Sequence, residues 1–277
     1  MTTRALRTAS SLTAIDGWGA AHAAAAIVTP AGLLAQRGEP THRFAGASVT
    51  KLVTATAVLI AAARGLLALE EPAGPPGATV RHLLAHASGL PFEEGGLTGA
   101  PGRRRIYSNP GFDALGDLVS ERAGRPYAAV LRDWVLAPLD MTGTELTGGP
   151  AGGLRGPIGD LAAFAIELVR PTLLDPATLA EATSVTFPGL AGVLPGVGRF
   201  DPCDWGLGFE LRDGKTPHWT GSHNSPSTFG HFGAAGTFLW IDPVRRLGLA
   251  VLTDRAFGPW ALDAWPSLSD EVIAASV

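Results

Sequence analysis

Residues 44–51, Phe44-Ala45-Gly46-Ala47-Ser48-Val49-Thr50-Lys51, lead into the run 52–63, LVTATAVLIAAA, which is apolar on nearly every side. The composition predicts a helix over 48–64 with Gly65 as the residue that ends it. A helix apolar all round is buried on most sides. Ser48 and Lys51 are three residues apart and so share a face. A serine in the first turn also sits beside free backbone N–H groups at the positive helix end. Its hydroxyl becomes a nucleophile only with a base at hand. A lysine can be that base if its pKa falls from ~10.4 to roughly 7–8, which corresponds to about 3–5 kcal/mol. Burial in an apolar helix would supply such a shift. Taken alone, the pair reads more readily as a capping serine and a surface lysine.

Working outward, residues 23–29 and 33–37 flank Pro30-Ala31-Gly32 and predict an antiparallel hairpin before Ser48. The Pro- and Gly-rich stretch 71–77 marks a boundary. Beyond it the pattern is helical. Thr79 can cap 80–85, and 110–122 is a second helix with Asn109 as N-cap, Pro110 at N1 and Gly124 at the C-terminal end. Residues 127–135 and 158–169 are further helices, and no strand pattern stands out between 72 and 195. Strands return late. Residues 205–211 and 218–219 flank Asp213-Gly214, while 237–241 and 247–253 form a clear hairpin around 242–245. The tail, 260–275, is helical. The fold class expected is α+β: an antiparallel sheet built from both chain ends, flanked by helices, with an all-helical insert. The sheet part would be 1–70 with 196–277, and the helical part 71–195.

Two further clusters can carry chemistry. Tyr107-Ser108-Asn109 holds one of only two tyrosines, and at a spacing of two Tyr107 and Asn109 point the same way. Tyrosine can move a proton, and asparagine can donate to a carbonyl and accept from a lysine. Asn109 also fits the N-cap position. In Gly230-His231-Phe232-Gly233-Ala234-Ala235-Gly236 the small residues let another backbone approach an edge strand, with a free N–H for an oxyanion. By itself that stretch is equally a glycine-rich turn.

The three clusters in this order resemble the penicillin-recognising serine hydrolases, in the branch of class C β-lactamases, DD-peptidases and related esterases. The intervening stretches 81–91, 138–141 and 205–209 fit the same likeness, which covers residues 23–256. The resemblance implies that Ser48 is acylated, that Lys51 and Tyr107 take its proton, and that Tyr107 passes a proton to the leaving group. It implies that Asn109 orients Lys51 and the acyl group, and that the backbone N–H groups of Ser48 and Ala234 form the oxyanion hole. His231 stands where many relatives carry lysine. Gly233, Phe232 and Trp205 are expected at the substrate, with Trp219 a further pocket aromatic. Lys215-Thr216-Pro217 imitates the family's Lys-Thr-Gly but ends in proline, so the expectation rests on His231. His86 is read as structural.

Bulk properties narrow the partners. With 277 residues, 46% of them hydrophobic, the chain can build a sizeable core. A net charge of −4 gives no footprint for nucleic acid or an anionic membrane, and Arg103-Arg104-Arg105 reads as a solvated loop. One cysteine, Cys203, excludes an internal disulfide. No apolar run approaches the ~18 residues of a membrane helix. Arg4 and Arg7 precede no apolar core of the kind a signal peptide needs, which favours a cytoplasmic address over export. No metal-ligand spacing occurs and no cofactor is expected. A glycine-flanked nucleophile elbow is lacking too, since Val49-Thr50 follows Ser48. The expected activity is hydrolysis of small ester or amide acyl substrates. The alternatives are a β-lactamase or DD-peptidase, and a non-catalytic binding module of the same fold. A neutral His231 would hold a substrate carboxylate less well than lysine, which ranks esters ahead of penicillins.

Overall fold

The computed structural model describes residues 3–276 and opens on a helix, α1 (Thr3–Ser11), where the sequence suggested no element. It lies against the C-terminal helix described below. Next come the hairpin strands β1 (Ala23–Thr29) and β2 (Gly32–Gly38), the short β3 (Phe44–Ala45), and the helix α2 (Thr50–Ala63). Then follow α3 (Val80–Leu84), β4 (Arg105–Ile106), α4 (Asn109–Ala123), α5 (Tyr127–Leu131), β5 (Glu145–Leu146), β6 (Leu154–Gly156), α6 (Ile158–Val169) and α7 (Pro176–Ala182). The chain closes with β7 (Gly192–Leu194), β8 (Gly198–Phe200), β9 (Glu210–Leu211), β10 (Phe229–Gly233), β11 (Thr237–Asp242), β12 (Leu247–Thr253) and α8 (Pro259–Ser276).

The main sheet has six strands in the order β2-β1-β12-β11-β10-β9, and every pairing in it is antiparallel. Both chain ends therefore supply it, as the α+β reading expects. Its central strands are continuous apolar runs because both faces are covered. Alternate residues of β1 serve two cores. Ala24, Ala26 and Val28 join the core that holds α2, α4 and α6. Ala25 and Ile27 join the core that holds Trp265, Leu268 and Val272 of α8. Leu239 and Ile241 of β11 split from Phe238 and Trp240 in the same way. Period two along a strand, with a helical layer on each side, accounts for the pattern.

The central helix α2 is buried from Thr50 to Ala61, as its all-round apolarity predicts. Its threonines are satisfied rather than stranded: Thr56 Oγ1 donates to Leu52 O at 2.9 Å and Thr54 Oγ1 to Pro150 O at 2.7 Å. Thr79 caps α3, and Gly124 ends α4 in the left-handed region. Several expectations need correction. Four short strands, β4 to β7, lie inside 72–195; at two or three residues each they are too short to show a period. Residues 218–219 form no strand, and β9 pairs with β10 instead. Helix 127–135 is split, with Arg132–Leu136 continuing as a wider π turn. The cap of α4 is Ser108, whose Oγ accepts the Gly111 N–H at 3.1 Å, so Asn109 is not the N-cap. No described helix is long and apolar enough to cross a membrane.

Candidate active site

Ser48 lies in a single 3-10 turn, Ala47–Val49, that precedes α2 instead of within the helix itself. Ala47 is held at φ 45°, a left-handed conformation that costs a residue with a Cβ of order 1 kcal/mol or more. Two bonds to Gly46 O fix this turn: Val49 N donates at 3.1 Å and Thr237 Oγ1 at 3.0 Å. The turn thus ties the start of α2 to β11. Beside it, β10 requires glycine at 233, where a Cβ would meet Gly46 O at 2.7 Å and the Ala47 Cβ at 2.9 Å.

Lys51 is wholly buried, and all of its donors are used. Its Nζ lies 3.3 Å from Ser48 Oγ, 2.6 Å from Asn109 Oδ1 and 2.7 Å from Ala151 O. None of these partners carries a charge. Burial pushes the Lys51 pKa down to about 7, against a weaker upward pull from the Asp113 and Glu93 carboxylates. Lys51 is therefore the kind of lysine a serine needs: close, dry and easily deprotonated. Because Ser108 takes the capping role, the Asn109 side chain is free to bridge Lys51 and Glu93, to which its Nδ2 donates at 2.8 Å.

Tyr107 is buried, borders the same cavity as Ser48, and has its ring centroid 4.8 Å from Lys51 Nζ. Burial raises its pKa, with the Ser48 hydroxyl acting the other way. A neutral phenol beside the serine can relay a proton without carrying charge. His86 positions this loop. Its Nδ1 accepts the Ser108 N–H at 3.1 Å, and its ring packs 4.5 Å from Tyr107. Burial lowers its pKa well below the usual range, so it stays neutral.

Ser48, Tyr107, His231, Phe232 and Ala234 line one cavity of about 190 Å³. Among the described residues, no backbone carbonyl accepts from the Ser48 or the Ala234 backbone N–H. His231 Nδ1 donates to Phe232 O at 2.6 Å, which leaves Nε2 as a lone-pair acceptor, buried and without a partner among the described residues. Burial, with the nearby Lys51 charge, pushes its pKa down to about 3. Ser48 and Asn109 also border an open groove of about 460 Å³ that carries Glu93 and Asp113.

Other expectations shift in place. Trp205 is 1% exposed and stands behind the site, with its ring 5.6 Å from His231 and 6.0 Å from Tyr107, so it backs the cavity instead of lining it. Trp219 is equally buried and donates its Nε1 to Glu210 at 3.0 Å. Lys215, which opens the Lys-Thr-Pro stretch, is buried. It pairs with buried Glu210 at 2.9 Å, and His218 closes on the same carboxylate at 3.1 Å. Burial pushes the Glu210 pKa up, but His218 and Lys215 outweigh it and leave it at about 2. Arg105, read as part of a solvated loop, is 2% exposed and donates to the carbonyls of Cys203, Ala85, Thr186 and Phe187. His22, Glu39 and His42 converge on the surface although their spacing shows no ligand motif. The two imidazoles stack at 4.0 Å and 19°, so their in-plane lone pairs run side by side instead of meeting at one point.

The family model described as beta-lactamase matches residues 16–270. The solved structure of a beta-lactamase, Mb2281c from Mycobacterium bovis, is 49% identical, covers 96% of this chain and 100% of its own, and superposes with a TM-score of 0.94. The D-alanyl-D-alanine-carboxypeptidase/endopeptidase AmpH of Escherichia coli K12 is 29% identical over 38% of this chain, and the match spans 37% of that relative's length. EstCE1, a hydrolase with promiscuous acyltransferase activity, shares the fold at 18% identity, with a TM-score of 0.77 and 98% of each chain covered. The match over nearly all of the chain, together with the near-complete overlap with Mb2281c, establishes that this protein belongs to the beta-lactamase family of serine hydrolases.

Proposed function

We propose that this protein hydrolyses small ester or amide acyl substrates through an acyl-enzyme on Ser48. The observation that carries this reading is Lys51: buried, 3.3 Å from Ser48 Oγ, bonded only to neutral acceptors, with its pKa near 7. In the acylation step Ser48 Oγ attacks the substrate carbonyl, and Lys51, with Tyr107, takes the serine proton. The carbonyl oxygen becomes an oxyanion held by the N–H groups of Ser48 and Ala234; losing one such donor typically costs about 3–4 kcal/mol. Tyr107 gives a proton to the departing alkoxide or amine, and the C–O or C–N bond breaks. Water then enters, loses its proton to the same pair, and releases the acid with Ser48 restored. Asn109 holds Lys51 in place. Phe232 and Gly233 shape the wall on which the acyl carbonyl rests, and the partner implied is a small acyl molecule.

His231 supports placing esters before penicillins. Held neutral, it carries no charge where relatives that carry lysine offer one, so a carboxylate gains nothing there. β-Lactamase or DD-peptidase activity is the second reading, favoured by the names of the relatives.

The test is intact-mass spectrometry of the protein and its Ser48→Ala variant after incubation with a fluorophosphonate, p-nitrophenyl butyrate or a penicillin. A Ser48-dependent adduct and ester turnover are expected. Penicillin turnover within tenfold of ester turnover would reverse the order of the two readings. Absence of any adduct in folded protein would leave only a binding module.

A further inference from the structure

A second cavity, larger than the one at the serine, opens on the far side of Tyr107. It measures about 540 Å³, within the usual range for sites that take small molecules. Phe92, Tyr107 and Pro195 border both cavities, so the two adjoin. Its floor is the three-stranded sheet β4-β7-β8. The register places Ile106 beside Val193, and Val193 beside Arg199, in one cross-strand row. Residues opposite one another in a sheet share a face, and alternation puts Arg104 on the face of Ile106. All four line the cavity. The other face carries Arg105 and Phe200, both buried.

This wall is apolar in the middle and cationic at its rim. Phe92 and Val193 are 46% and 53% exposed, unusual for such side chains, and both border the cavity. Arg104 and Arg199 are exposed and have neither an ion-pair partner nor a hydrogen-bond partner among the described residues. Arg105 cannot serve the cavity through its guanidinium, which four carbonyls already occupy. The other groove at Ser48 has the opposite sign, with Glu93 and Asp113 on its border. The site is thus polarised: acidic past Asn109, cationic past Tyr107.

We infer that the cavity between β4-β7-β8 and Phe92 is a leaving-group subsite for an apolar, ring-sized moiety that ends in an anion, held by Arg104 and Arg199. The assignment to the leaving group rests on the acyl-enzyme reading above, in which Tyr107 protonates the departing atom; a group that leaves at Tyr107 lies on that side. It also relocates anion recognition. His231 offers no charge, and the arginines lie on the next wall.

The test uses two acetates with one leaving skeleton, 6-acetoxy-2-naphthoate and its neutral carboxamide, 6-acetoxy-2-naphthamide. The native protein should prefer the carboxylate in kcat/KM by ~5- to 30-fold, the scale of two partly exposed ion pairs. The preference should shrink toward unity in Arg104→Gln/Arg199→Gln, survive in Arg104→Lys/Arg199→Lys, and weaken as salt approaches 1 M. Equal use of the two acetates by native protein, or a preference that the Gln variant keeps, would overturn the subsite. Binding of 6-hydroxy-2-naphthoate to Ser48→Ala, followed by its fluorescence, needs no chemistry and separates the two proposals. If neither acetate is turned over, saturable binding that the Gln substitutions abolish still supports the cavity, and no binding refutes it.

Discussion

The chain has only two lysines among its 277 residues, Lys51 and Lys215, and the fold buries both, while every other basic side chain of the Lys/Arg kind is arginine. Their surroundings are opposites. Lys51 meets a hydroxyl, an amide oxygen and a backbone carbonyl, so no carboxylate touches it, and burial outweighs the more distant Asp113 and Glu93 and brings its pKa down to about 7. Lys215 meets the Glu210 carboxylate at 2.9 Å and the carbonyls of Asp204 and Leu211, an arrangement that suits an ammonium ion. The contrast teaches that burial alone does not set a lysine's role. The presence or absence of one carboxylate in contact separates a proton carrier from a structural cation.

The comparison breaks most visibly at Lys51. Lys51→Met should lower kcat by about 10²- to 10⁴-fold, the usual scale for losing a general base, while Tm moves by no more than a few degrees. A variant that keeps native kcat would remove Lys51 from the chemistry. Lys215→Met should do the reverse. It removes the lysine from buried Glu210 and leaves the carboxylate to His218 and Trp219 alone, which costs about 3–5 kcal/mol and roughly 10 °C in Tm, whereas kcat per folded molecule, counted by fluorophosphonate labelling, stays near native. Calorimetry showing no loss of stability would mean that the Glu210 pair contributes nothing.

The subtlest change converts one environment into the other. Lys51 acts as a base only when deprotonated, so native kcat/KM should fall about tenfold per unit as pH drops below about 7. Asn109→Asp places a carboxylate where Oδ1 now lies 2.6 Å from Nζ. The charged lysine is then favoured, its pKa rises, and the acid limb of the profile should move up by about 1–3 units. A limb that stays in place would assign it to another group.

How far these features can be read from sequence depends on their length and locality. The long periodic elements α4, α6 and β11–β12 are legible because each spans several repeats of its own period. Ser48, Lys51, Tyr107 and Asn109 are legible as short motifs, although their convergence is a property of the fold alone. Strands of two or three residues leave no periodicity, so β4 and β7, which build the large cavity, pass unnoticed, and with them the change of Arg105 from loop cation to buried clamp. Adjacent Ser108 and Asn109 are both good caps, and composition cannot choose between them. The choice matters, because capping by Ser108 frees Asn109 for Lys51. Lys215 looked idle because its partner, Glu210, is joined to it across a turn and not by a recognised motif.

The sheet stops short at its working edge. β9 contributes only two residues, and they pair with Phe229 and Gly230, while the rest of β10, from His231 to Gly233, has no strand on its outer side and lies beside the turn that carries Ser48. Two or three more residues of β9 in register would saturate the same backbone groups that an incoming acyl chain would use. Access to the serine is in this sense set by where a strand ends. Insertions just before Glu210, the end of β9 that faces His231, would tune the breadth of accepted substrates without altering any side chain at the centre.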